Sequence, residues 1–168
     1  MDWIQVVLQW MHVLLGILWF GSAMAANFIV IPALARLPLD RQREFGEHYS
    51  AQLSRVLNVV APLVIVLGVI RGTVAGPIQS LAALTTPYGI TWLIALVAAG
   101  ATYLWAKRVI EPAAARLDAV PIDAAFDPDG RPSAAMLAAL DAVKRAGMLE
   151  LLGFIVIFTC MILMRFGL

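Results

Sequence analysis

Residues 3–35, WIQVVLQWMHVLLGILWFGSAMAANFIVIPALA, form 33 consecutive positions without a formal charge, bounded by Asp2 and Arg36, with His12 counted as neutral. A helix needs about 20 apolar residues to cross the hydrocarbon core of a bilayer, so this stretch predicts a membrane span. In lipid only helices and closed barrels satisfy every backbone N–H and C=O. The run lacks the strict alternation of a barrel strand, which leaves the helix. Ala23-Met24-Ala25 has the look of a signal-peptidase site, but no basic residues precede the apolar run. The run also continues through Phe28, Ile29, Val30 and Ile31, so the segment reads as a retained helix.

Marking charges outward from there gives three more spans. Fifteen uncharged residues separate Arg55 from Arg71, 35 separate Arg71 from Lys107, and 14 separate Glu150 from Arg165. Gly76-Pro77 and Thr86-Pro87 break the long middle region into the end of one helix and the start of the next. The expected spans are about 3–35, 56–75, 88–109 and 148–164, in a single domain covering residues 1–168. Composition agrees. The chain is 62% hydrophobic and 14% charged with a mean hydropathy of +0.88, where a soluble domain carries about 25% charged residues.

Ten of the twelve Lys and Arg residues fall in two connections. Arg36, Arg41, Arg43 and Arg55 follow the first span, and Lys107, Arg108, Arg116, Arg131, Lys144 and Arg145 lie between the third and fourth. Basic loops stay in the cytoplasm, so both termini are expected outside. The predicted fold class is an all-α integral membrane four-helix bundle, N-out and C-out, with helix ends extending into the cytoplasm. The expected location is a bacterial-type cytoplasmic (inner) membrane. Asp40 to Arg55 is expected to prolong the second helix. Ser133 is expected to cap a helix over 134–164, with Asp141 and Arg145 spaced as an i,i+4 pair. Three prolines and Asp129-Gly130 make 119–132 a loop. The lipid bilayer is the expected partner, and a net charge of +1 gives no reason to invoke nucleic acid. The single Cys160 excludes an internal disulfide and a multi-cysteine metal cluster. Gly68, Gly72 and Gly76 form a stripe at i, i+4 and i+8. Such a stripe admits a close helix, from the same bundle or from a second copy in a homo-oligomer.

Polar residues inside a bilayer are expensive, so they mark candidate sites. His12 lies nine residues after Trp3, about 13 Å along a helix at 1.5 Å per residue. An imidazole there is either a metal ligand or a hydrogen-bond donor to a neighbouring helix. Gly16 clears space beside it and Trp19 adds an aromatic wall, a gap suited to a planar macrocycle such as haem. Arg71 is placed to hold an anionic group such as a haem propionate; Arg165 is expected to snorkel to the headgroups. Met11, Cys160, Met161 and Met164 share the same half of the bundle, and soft sulfur ligands select Cu(I). His12 with Met11, Cys160 and Met161 is therefore an alternative copper(I) set. A structural ion pair is expected between Glu150 and Lys107, Arg108 or Arg55 at similar depth. His48 is expected in solvent. No nucleophile–base arrangement, phosphate-binding glycine loop or HExxH zinc motif is present, so soluble-type hydrolase and nucleotide chemistry have no support.

The string Met11-His12-Val13-Leu14-Leu15-Gly16-Ile17-Leu18-Trp19-Phe20-Gly21 resembles the opening of CopD-like (copper-resistance protein D) membrane domains. Val30-Ile31-Pro32-Ala33-Leu34, Ser54-Arg55, Gly68, Tyr88-Gly89 and Glu150-Leu151-Leu152-Gly153 extend that resemblance to all four spans. The pattern is also similar to HemJ-type protoporphyrinogen oxidases, small four-helix proteins in which His12 would be the haem-associated residue. Both families tend to carry a lysine inside the third helix. This chain has Thr91, Trp92 and Leu93 there and no lysine before Lys107, which puts oxidase activity in doubt. Three functions fit. The first is a membrane redox protein holding haem b through His12, with Trp19 and Arg71 in its pocket. The second, implied by the CopD resemblance, is a copper(I) uptake or resistance permease. The third is a non-catalytic assembly subunit of a membrane complex.

Overall fold

The computed structural model describes residues 3–74 and 76–168. Asp2, which bounds the first span, and Ala75, the expected end of the second, lie outside the described residues. Four helices are long and apolar enough to cross a membrane: α1 (Trp3–Leu34), α2 (Leu39–Thr73), α3 (Pro87–Asp118) and α4 (Ala134–Arg165). They have 32 to 35 residues each, or about 48–52 Å at 1.5 Å per residue, against a hydrocarbon core of about 30 Å. All four therefore project beyond it. This is the architecture of a multi-pass membrane protein. Two ends can be named without reference to a compartment. The terminal end holds Trp3 and Arg165, and the basic end holds the α1–α2 and α3–α4 connections.

The boundaries follow from local chemistry. Thr86 accepts the Gly89 N–H at 3.1 Å and Pro87 opens α3, a position where a missing N–H costs nothing. Ser133 accepts the Met136 N–H at 3.3 Å and starts α4, and Asp141 pairs with Arg145 at 2.5 Å one turn along. In the loop before α4, the Asp127 carboxylate accepts the N–H groups of Asp129 and Arg131. Gly130 takes the left-handed φ of +74° that the turn requires. Residues 39–55 do prolong α2, as their polarity predicts.

One feature was not read from the sequence. α1 and α3 are built alike. Each contains a five-residue π-turn, Ala26–Val30 and Ala106–Ile110, closed by an N–H bonding five residues back: Ile31 to the Ala26 carbonyl and Glu111 to the Ala106 carbonyl. Each π-turn is followed by a proline, Pro32 and Pro112, whose ring cannot tolerate the ordinary carbonyl four residues behind it. A shift of 80 residues superimposes ANFIVIPALARL (26–37) on AKRVIEPAAARL (106–117), with six of twelve positions identical. These two helices thus share a short internal repeat. The repeated element is short and its fingerprint is a backbone feature.

Trp19, Ala61, Val64, Ala99, Leu151 and Phe154 belong to the buried centre. Trp10, Val7, Val66, Val97 and Ile155 are exposed on the outside. Apolar side chains on both faces are what a lipid-facing bundle requires. Small residues bring the helices close. A Cβ at Gly153 would collide with the Thr102 hydroxyl, and one at Gly147 with the Asn27 amide. The Trp105 indole donates to the Ala146 carbonyl at 3.0 Å, tying α3 to α4.

Candidate functional site

All four helices open around a cavity of about 740 Å³ in the terminal half of the bundle, with His12 in its wall. His12 is only 6% exposed. Its Nδ1 lies 3.1 Å from the carbonyl oxygen of Val64 on α2. A carbonyl can only accept, so Nδ1 carries the proton and Nε2 keeps a free lone pair. A hydrogen bond from one ring nitrogen to a backbone carbonyl is what orients an imidazole whose other nitrogen binds a metal. Among the described residues no buried side-chain nitrogen or oxygen lacks a partner. Nε2 has no hydrogen-bond partner there, so it keeps access to the cavity that His12 lines.

The glycines explain how the ring fits. A Cβ on Gly68 would stand 3.2 Å from the imidazole Cε1, tighter than ordinary contact. A Cβ on Gly72 would collide with the Trp92 indole. The first two members of the stripe thus receive rings from inside the bundle. A Cβ on Gly76 would meet the carbonyls of Arg71 and Gly72 in its own chain. Gly16 differs: it lines the cavity, and a Cβ there would meet nothing within 4 Å.

Trp92, which the sequence did not mark as a site residue, lines the same cavity as His12. The 80-residue shift that aligns the two π-turns places His12 on Trp92. Both rings direct an N–H at the backbone of α2, His12 at Val64 and Trp92 at the Gly68 carbonyl at 3.3 Å, one turn further. Trp92 gives the cavity an aromatic face on the α3 side. Trp19 is buried and stands edge-on to Phe154, with centroids 5.1 Å apart at 79°, and both line the cavity.

Arg71 and Arg165, from the terminal ends of α2 and α4, both line it as well, with Tyr88 and Gln9. Arg165 therefore borders the same space as Arg71, beyond the headgroup role expected for it. The sulfur residues separate. Met161 and Met164 line the cavity, whereas Met11, 43% exposed, and buried Cys160 are not among its lining residues. No group of three or more His, Cys, Asp and Glu converges on a metal-sized point among the described residues.

The expected ion pair of Glu150 does not form. Lys107 instead pairs with Glu111 one turn along its own helix at 2.5 Å, and reaches across to Asn58 Oδ1 at 2.9 Å. Glu150 is 8% exposed and has no ion pair or hydrogen bond among the described residues, so its carboxyl oxygens are not fully enclosed. Equal depth does not bring it within reach of a lysine already engaged on the same helix. His48 lies on the projecting part of α2.

Set against known family models, curated proteins and solved structures, the chain matches none.

Proposed function

We propose that this protein is a small membrane redox protein whose terminal-half cavity holds haem b, with His12 Nε2 as the axial ligand. The observation that carries this reading is the His12 ring itself. It is buried at membrane depth, its tautomer is set by the Val64 carbonyl, and its free nitrogen opens into the cavity. The cavity's size lies within the roughly 300–1,000 Å³ typical of cofactor pockets. The walls offered to a flat macrocycle are Trp19, Trp92, Phe154 and Phe158. Arg71 and Arg165 supply two guanidinium groups for two carboxylates. When bound, haem supplies one-electron chemistry tuned by its axial ligand and by burial. The protein's own work is to hold the imidazole, to keep water from the apolar floor and to anchor the acidic edge of the ligand. With ten basic residues beyond the other end of the bundle, the positive-inside rule puts that end in the cytoplasm and the cavity in the outer half of a bacterial-type inner membrane.

The donor set favours haem over copper(I). Two of the four candidate soft-site residues, Met11 and Cys160, are not on the cavity, which leaves His12 with Met161 and Met164. An absorption spectrum of gently solubilised protein reconstituted with haem tests the reading. A Soret band that disappears in His12→Ala supports it. A protein that stays colourless with haem, or that retains stoichiometric copper instead, removes it.

A further inference from the structure

Glu150 is the only carboxyl-bearing side chain buried in the bundle among the described residues, and the haem reading makes no use of it. An ionisable group inside a membrane without a partner is costly and is a mark of ion or proton handling. Its level is set by its neighbours. On one side of it in the chain, Gly153 faces the Thr102 hydroxyl; on the other, Ala146 accepts from Trp105. Glu150 lies between these two contacts and so on the face of α4 that meets α3. Gly147, three residues earlier and on the same side of the helix, faces Asn27 of α1.

From that level the two directions differ. Toward the terminal end, Phe154 comes one turn later and closes edge-on against Trp19 at the cavity. Toward the basic end come Asn27 and then a polar layer. Lys107 reaches both Asn58 and Glu111, and the Ser54 hydroxyl donates to Glu111 at 3.4 Å. The other titratable or charged groups on the elements packed against α4 are Tyr88, at the terminal end, and Tyr103, Arg108, Arg116 and Asp118 of α3. α1 brings only His12, two turns or more toward the terminal end. Polar side chains thus run from the basic end as far as Glu150, where aromatic rings take over.

We propose that Glu150 is a proton-loading site filled from the basic end of the bundle. Its carboxylate oxygen takes a proton from a hydronium ion that arrives past Asn27 and the Lys107–Asn58 layer, and a water molecule is left behind. Release is the reverse step. The group would then adjust its charge one helical turn beneath the cavity floor. This proposal is independent of what the cavity holds.

The experiment uses the full chain in lipid vesicles, with sidedness assigned by protease cleavage of the loop at 119–133. Infrared difference spectra follow acidification of one aqueous phase at a time. The expected result is a carboxylic C=O band that moves in D₂O, appears on acidifying the basic-end phase alone, and is lost in Glu150→Gln. A band that answers only to the terminal-end phase, one that persists in Glu150→Gln, or the absence of any such band overturns the proposal. Asp40, Glu44, Glu47, Glu111, Asp118, Asp123, Asp127, Asp129 and Asp141 also lie toward the basic end and contribute to both proteins, so the band is read as the difference between unmodified protein and Glu150→Gln. Glu150→Asp keeps a carboxyl at that level and should retain a shifted band; its absence there overturns the proposal as well.

Discussion

The imidazole of His12 lies against the backbone of Gly68 so closely that a methyl group on residue 68 would stand 3.2 Å from Cε1. The ring is held by the Val64 carbonyl one turn before that glycine, so it has little room to retreat. Gly68→Ala is therefore expected to push the ring by a few tenths of an ångström. Overpacking of this kind costs about 1–3 kcal/mol, and haem affinity should fall by roughly tenfold to a hundredfold. Titration of the Soret band in the variant checks it. Unchanged affinity would mean that the ring is not the ligand or is not fixed there.

Gly16 supplies the opposite test. Its Cβ direction is open space and it borders the cavity. Gly16→Ala should leave thermal stability unchanged or raise it slightly, because glycine inside a helix costs about 0.5–1 kcal/mol relative to alanine. Gly16→Phe should keep the helical circular dichroism of the protein while abolishing haem binding, by occupying the space the ligand needs. A Phe variant that binds haem normally would show that this cavity is not the site.

Arg71 and Arg165 are expected to act on the acidic edge of the ligand. Hydrogen bonds to charged groups contribute about 1.5–3 kcal/mol, so Arg71→Gln should weaken haem binding by roughly tenfold or more. The same variant should make little difference to a haem dimethyl ester, which has no carboxylates to hold. Equal losses for both ligands would assign Arg71 a purely structural part.

Trp92 binds the same helix as His12 through its indole N–H, at the Gly68 carbonyl. Trp92→Phe keeps the aromatic wall and removes that donor, at about 0.5–1.5 kcal/mol for one hydrogen bond. Gly72→Ala should be the more damaging change, since the new methyl would collide with the indole itself. Melting temperatures in detergent, measured side by side, should rank unmodified protein, Trp92→Phe and Gly72→Ala in falling order.

Lys107 and Glu111 pair within α3 and carry hydrogen bonds to Asn58 and Ser54 of α2, but their side chains are 32% and 40% exposed. Solvent screening limits such a pair to about 1 kcal/mol or less. Glu111→Gln should therefore shift the melting temperature only slightly, and a large fall would mean that the Asn58 and Ser54 contacts depend on it.

Much of the architecture was legible in the residue order because its causes are local. Charge-free runs announce four helices, Ser133 and Thr86 bind the N–H groups three residues ahead, and Pro87 opens a helix wherever it lies in a fold. The depth of His12 also follows from counting residues at a fixed rise. Rotation about each helix axis does not. In a water-soluble bundle the apolar stripe tells which side faces in, but here Val66 and Val97 are as apolar as buried Val64 and Ala99. Only the packing of four helices together turned Met161 toward the cavity and left Met11 outside. It also set Trp92 one turn from His12 along α2 and left Glu150 without a lysine partner. Lipid accepts apolar side chains in any direction, so contacts between helices were left to decide which of them face one another.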